Sequence, residues 1–291
     1  MTIKRKLTTV QAPVAQPGFL GAGHHARAVI QVPYDESDPF ILLMDDVLDK
    51  ANDEPAGGPH PHAGFETVSL LLEGEIGDSA HKMKEGDFQK MTAGSGIIHT
   101  ETIERKAKMR LLQLWTVLPK KDRWTLPKVQ DLPFDKVPKI MEEGLEIRIY
   151  SGTLAGVSSP LENYTPMIIA DIHLDAGVTT TQTIPASYST FLYVIEGNFK
   201  VGSEGNNTLS QNQVGWLDRF TEDGSSEISL TAGASPARVV LYAGQPQGDE
   251  IVSHGPFIAD TEADIRRLYQ DFRQGKMKHI STVPAEQRIL W

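Results

Sequence analysis

Apolar residues along this chain come in short runs of five to eight, often alternating with polar ones and cut by Gly, Pro, Asn or Asp. "FETVSLLLEG" (65–74), "EIRIYSG" (146–152), "FLYVIEGNFKVG" (191–202) and "ARVVLYAG" (237–244) all follow this pattern. Alternation with a period of two is what a half-buried strand requires, and regular turn residues between the runs predict an all-β sandwich or barrel. Helical periodicity appears once, in "DTEADIRRLYQDFRQG" (260–275). There Ile265, Leu268 and Phe272 recur at helical spacing, Thr261 stands as N-cap three residues before Asp264, and Gly275 can close the C-terminus. A single short C-terminal helix is predicted to pack on the β-structure.

The pattern repeats. "TVSLLLEGEI" (67–76) resembles "TFLYVIEGNF" (190–199), and "EGDFQKM" (85–91) lies opposite "QNQVGWL" (211–217), at offsets of 123 and 126. Two copies of one β-domain account for 291 residues. The charged, proline-bearing "FDKVPKIMEEG" (134–144) is the natural joint, giving an N-terminal domain over 1–138 and a C-terminal domain over 139–291.

Composition narrows the chemistry. Net charge is −10, from 28 basic and 38 acidic residues, with no cluster of five Lys/Arg. Direct nucleic-acid binding and attraction to an anionic membrane surface are therefore not expected. There is no cysteine, which removes disulfides, thiolate metal sites and thiol nucleophiles together. No apolar run approaches the ~20 residues that span a bilayer, and "MTIKRKLTTVQAPV" lacks the apolar segment of a secretory signal. A cytoplasmic protein is expected, so the glycosylation-type triplets at Asn163 and Asn206 carry little weight.

"GGPHPHAGFETVSLLLEG" (57–74) places His60 and His62 one residue apart, and "GDFQKMTAGSGIIHTETI" (86–103) places His99 and Glu101 likewise. Alternate residues of a strand face one side, so two such strands can bring three imidazoles and one carboxylate to one point. That donor set suits a first-row divalent metal with positions left for water, O2 or substrate. Glu66 shares the parity of His62 but is ~13 Å away at strand rise, so it reaches the site only if the chain bends at Gly64. The alternative is a pair of surface loops that happen to carry histidines. Carried into the second copy, His60 and His62 land on Thr183 and Pro185, His99 and Glu101 on Ser225 and Glu227, and Glu66 on Ser189; no histidine is retained, and one domain is expected to be metal-free.

Other positions are expected to be structural. Adjacent His24 and His25 would face opposite sides and lie at the surface. His81, His173, His254 and His279 are isolated. Asp45 and Asp46 are expected at a turn or strand end, and Trp115, Trp124, Trp216 and Trp291 in packing. "AGSGIIH" has His99 where a dinucleotide fingerprint needs its third glycine, and it leads into a strand.

"HPHAGFETVSLLLEG" followed by "GDFQKMTAGSGIIHTE" resembles the two cupin motifs in the form used by the pirin family, and "HGPFIADTEADIRRLYQDFRQGKM" (254–277) is similar to the end of pirin chains. The resemblance spans nearly the whole length. It implies a bicupin of two antiparallel β-barrels face to face, with iron in the N-terminal one held by His60, His62, His99 and Glu101. Fe(II) is the implied cofactor, although the donor set would also accept Mn, Co, Ni, Cu or Zn. Glu66 matches a ligand of other cupins on which pirins do not rely. Ala63 and Ser95 stand where pirins commonly carry Arg, and Lys90 stands where they carry Trp. The resemblance also implies cleavage of flavonols such as quercetin by O2, with Glu101 as proton acceptor and Glu66 as the alternative base. The competing implication is an iron-dependent redox sensor that binds a transcription regulator or a metabolic enzyme. Since two barrels already pair within one chain, a monomer is expected.

Overall fold

The computed structural model of the protein describes residues 3–77, 82–103, 105–202 and 207–291. Its chain divides into two compact β-rich units. One contains Val29–Pro39 and Val137–Pro246 together with the N-terminal stretch to Val14; the other contains Ala15–Ala28, Phe40–Lys136 and Gln247–Trp291. A division at 138 assigns both terminal segments differently. Backbone pairing explains the exchange: Leu7–Gln11 pairs with Val214–Leu217, and Arg288–Leu290 pairs with Lys128–Leu132. Each terminus completes a sheet whose other strands come from the distant half of the sequence.

In the unit built on residues 137–246, seven strands form one antiparallel sheet, ordered Lys139–Glu142, Leu145–Ser151, Met167–Leu174, Ala237–Gly244, Ser189–Glu196, Val214–Leu217 and Leu7–Gln11. A second sheet is centred on Ser225–Ala232, with Thr179–Pro185 and Asn198–Val201 beside it. Side chains from both sheets meet in one core that includes Ile147, Leu192, Phe199, Ile228 and Leu230. Along Thr179–Pro185, Thr180, Gln182 and Ile184 are buried while Thr179, Thr181 and Thr183 are exposed, as period-two alternation requires.

The other unit carries a long antiparallel sheet through Lys128–Leu132, Phe88–Thr92, Phe65–Gly77, Ala107–Val117, Phe40–Lys50 and His24–Ala28. Residues 65–72 are buried without interruption, so this strand is covered on both faces. A smaller sheet joins Pro59–His62, Ile97–Thr100 and Lys278–His279. The helix Glu262–Arg273 starts where predicted, with the Thr261 side chain accepting from the Asp264 N–H. Ile265 and Leu268 are buried with Ala63 and Phe257, while Phe272 stays partly exposed.

The register supports the repeat. Val68 lies opposite Lys90, and Phe191 lies opposite Trp216; both pairs obey offsets of 123 and 126. Beyond Met91 the offset grows to 128, because His60 faces His99 whereas Thr183 faces Glu227. The second-copy partner of His99 is therefore Glu227 rather than Ser225. Thr183 is exposed there, and Ile184 and Ile228 belong to the apolar core.

Candidate metal centre

Strand pairing builds the site. Pro59–His62 runs antiparallel to Ile97–Thr100 with His60 directly opposite His99, and His62 is two residues further along the same face. One ligand nitrogen from each of His60, His62 and His99 falls in a group whose members lie within 4.8 Å of one another. Nε2 of His60 and Nε2 of His99 are 2.8 Å apart. Nδ1 of His60 donates to the Gly58 carbonyl at 2.9 Å, which leaves its Nε2 as a lone pair, the tautomer a metal needs. Two nitrogens held at ~2.1 Å on neighbouring octahedral positions would be about 3.0 Å apart. Nδ1 of His62 is buried without a hydrogen-bond partner. These three imidazoles fit a cation.

Burial and proximity also hold the donors neutral. Desolvation, then the neighbouring His99 and His60, lower His62 to about 2. Desolvation, then His60 and His279, lower His99 to about 3. A bound cation would compete with no proton at these two rings near neutral pH.

Glu101 is not part of the converging group. Its Oε1 accepts from Gln113 Nε2 at 2.6 Å. Burial raises its pKa, opposed by the charge of His60 and the Gln113 hydrogen bond. Glu66 is placed elsewhere. The chain does bend at Gly64, at φ +85°, where a Cβ would run into the Ile258 carbonyl. That bend resets the parity, so Phe65 rather than Glu66 turns towards His62, with ring centroids 5.2 Å apart. Glu66 faces the other side of the sheet, fully buried, where Lys90 Nζ meets its Oε2 at 2.8 Å and the Thr92 hydroxyl donates to its Oε1 at 2.7 Å. The same register puts Gln113 and Trp115 on the histidine face, Trp115 being 5.1 Å from His62 between centroids.

The three departures from the pirin pattern have distinct settings. Ala63 is fully buried, bridges to Phe257 and packs in the apolar cluster with Ile265 and Leu268. Lys90 is the partner of Glu66. Ser95 is exposed, and its N–H donates to the Thr125 carbonyl.

A cavity of about 80 Å³ opens beside His99 and Glu101. Ile76, Met83, Leu111 and Val129 give it apolar walls, and His279, Ile280 and Ser281 close another side.

Several expectations are corrected. His24 is not at the surface: it is 2% exposed, its Nδ1 accepts from the Leu20 N–H, and its Nε2 meets Asp46 at 2.9 Å. Asp45 and Asp46 sit in the middle of the strand Phe40–Lys50, not at a turn. Asp45 takes two hydrogen bonds from Arg110, and burial pushes Asp46 up to about 6. His81 and Asn206 lie outside the described residues. Gln113 had a sequence signal, a lone amide in the apolar run "LLQLW". His279 had none, because only tertiary folding returns the tail to residue 98.

Residues 24–116 match the sequence model of the family described as Pirin, and residues 169–278 match that of the Pirin C-terminal cupin domain. The chain is similar to pirin from Mus musculus, 34% identical over 269 residues that span 88% of this chain and 89% of the mouse protein. A crystal structure of quercetin 2,3-dioxygenase from Acinetobacter baumannii matches with a TM-score of 0.81 at 29% identity, covering 94% of this chain and 98% of that one. The fold is shared with bacterial pirin from Escherichia coli in complex with nickel(II), TM-score 0.59 at 20% identity, covering 82% and 99%.

Proposed function

The chain belongs to the pirin family, and from that premise we propose that it is a metal-dependent dioxygenase cleaving flavonols such as quercetin with O2, using Fe(II). The observation that carries this reading is the convergence of His60, His62 and His99, with His99 and Glu101 lining an adjoining cavity. The relation to a protein named quercetin 2,3-dioxygenase supports it.

His60, His62 and His99 would hold the metal as neutral donors, with Glu101 as the fourth ligand. When bound, the metal supplies Lewis acidity that makes a flavonol 3-hydroxyl acidic, and redox capacity for reaction with O2. Glu101 would also take the hydroxyl proton: its raised pKa suits an acceptor, and the Gln113 amide orients the carboxylate through one oxygen. The apolar walls exclude bulk water from the electron-rich ring. Glu66 takes no part, since Lys90 and Thr92 hold both its oxygens.

The test is oxygen uptake by protein reconstituted anaerobically with Fe(II) and then given quercetin in air. One O2 consumed and one CO released per flavonol is expected, lost in His99→Ala. No uptake by fully metallated protein refutes the proposal, and turns attention to a protein partner whose binding follows the oxidation state of the iron.

A further inference from the structure

The C-terminal tail returns to the metal cavity and forms one of its walls. Lys278–His279 pairs in parallel with Ile97–Thr100, Ile98 being opposite His279, one residue from the ligand His99. The segment is tied at several points. His279 Nε2 meets the Thr100 hydroxyl at 2.8 Å, the Ser281 N–H donates to His279 Nδ1 at 3.2 Å, and the Thr282 hydroxyl donates to the His279 carbonyl at 2.7 Å. Since Nδ1 accepts, Nε2 carries the proton and donates to Thr100. Ile280 packs against the cluster of Met91, Ile97, Val129 and Val283. Further on, Arg288–Leu290 is anchored by its pairing with Lys128–Leu132, and the Trp291 N–H donates to the Asp131 carbonyl. A wall fixed in this way sets the width of the cavity.

That width is small. At ~10–15 Å³ of probe space per water, a cavity of about 80 Å³ holds roughly five to eight waters. This is the room needed by one hydroxylated six-membered ring, and a three-ring flavonol needs more than twice as much. Building on the dioxygenase reading, we infer that the tail is the specificity-determining wall of the site: Ile280 favours single-ring α-hydroxyenones, and flavonols enter with weaker affinity. The shared chemistry is a hydroxyl beside a ring carbonyl, which chelates the metal whatever rings are fused to it.

Three probes share that head group: 3-hydroxy-2-methyl-4-pyranone with one ring, 3-hydroxychromone with two, and quercetin with three. Their Kd values would be measured on Zn(II)-loaded protein, which binds without turnover. In the wild type, Kd is expected to rise at least tenfold from the one-ring to the three-ring ligand. Ile280→Ala should cut that ratio below threefold while leaving the one-ring Kd within twofold. Ile280→Phe should weaken the one-ring ligand at least tenfold, and it carries the test if the alanine variant fails to fold. Equal Kd values in the wild type, or an unchanged ratio in Ile280→Ala, overturn the inference. Oxygen uptake by the Fe(II) forms separates the two claims. A graded series without uptake leaves the wall standing and sinks the dioxygenase; uptake with a flat series does the reverse. Binding of none of the three probes overturns both.

Discussion

Lys90→Met removes one half of the buried Glu66–Lys90 pair, and the structure sets the size of the effect. Both side chains are wholly inaccessible, and Nζ and Oε2 are 2.8 Å apart. In the variant, Thr92 still donates to Oε1, but the carboxylate loses the ammonium that balances it in a dry environment. Breaking such a pair costs about 3–5 kcal/mol. For a folding unit of 150–250 residues, each kcal/mol lowers Tm by roughly 2–4 °C, so a drop on the order of 10 °C is expected. Replacing both residues, Glu66→Met with Lys90→Met, removes the charge along with its counterion. The double variant should therefore recover most of the loss and lie within about 2 kcal/mol of the wild type. Urea unfolding of the metal-free protein, run as a double-mutant cycle, measures this directly. If Lys90→Met costs less than about 1 kcal/mol, or if the double variant is no better than the single one, the pair is not the buried, mutually dependent unit described above.

Two further outcomes follow from the same kind of reasoning. Burial alone would raise the pKa of Asp171, but hydrogen bonds from His173 and Arg238 and the charge of Arg238 outweigh it and leave it at about 2. A folded pKa below the unfolded value gives stability that is present above pH ~4 and lost as pH falls towards 2, about 2–3 kcal/mol in all. Asp171→Asn should flatten that acid limb in urea midpoints compared at pH 6 and pH 3, and parallel curves would contradict it. Gln113→Leu removes the amide that stabilises the Glu101 carboxylate. The acid limb of the kcat profile should then move to higher pH with metal content unchanged, and a fixed limb would detach Gln113 from the reaction.

The sequence made the metal strands legible because their chemistry and their geometry share one period. His60, His62 and His99 are spaced for one strand face, and that is how they converge. Glu66 shows where this reasoning ends. Parity along a strand holds only while the strand is regular, and the bend at Gly64 shifted the face by one residue. His24 followed a second misleading cue: two adjacent histidines do point to opposite sides, but one side was the interior, where Asp46 receives it. The repeat was visible through its central strands, whereas two extra residues of the second copy between Leu217 and Glu227 moved the counterpart of His99 from Ser225 to Glu227. The tail wall was invisible. No local pattern links residue 279 to residue 100, and their contact exists only through a short parallel pairing between segments ~180 residues apart.

The most direct measurement is metal stoichiometry and affinity, by equilibrium dialysis and elemental analysis, for the wild type and the single variants His60→Ala, His62→Ala and His99→Ala. One metal per chain is predicted for the wild type, with each substitution weakening affinity at least a hundredfold. Full occupancy retained in all three variants would place the metal elsewhere and contradict the account.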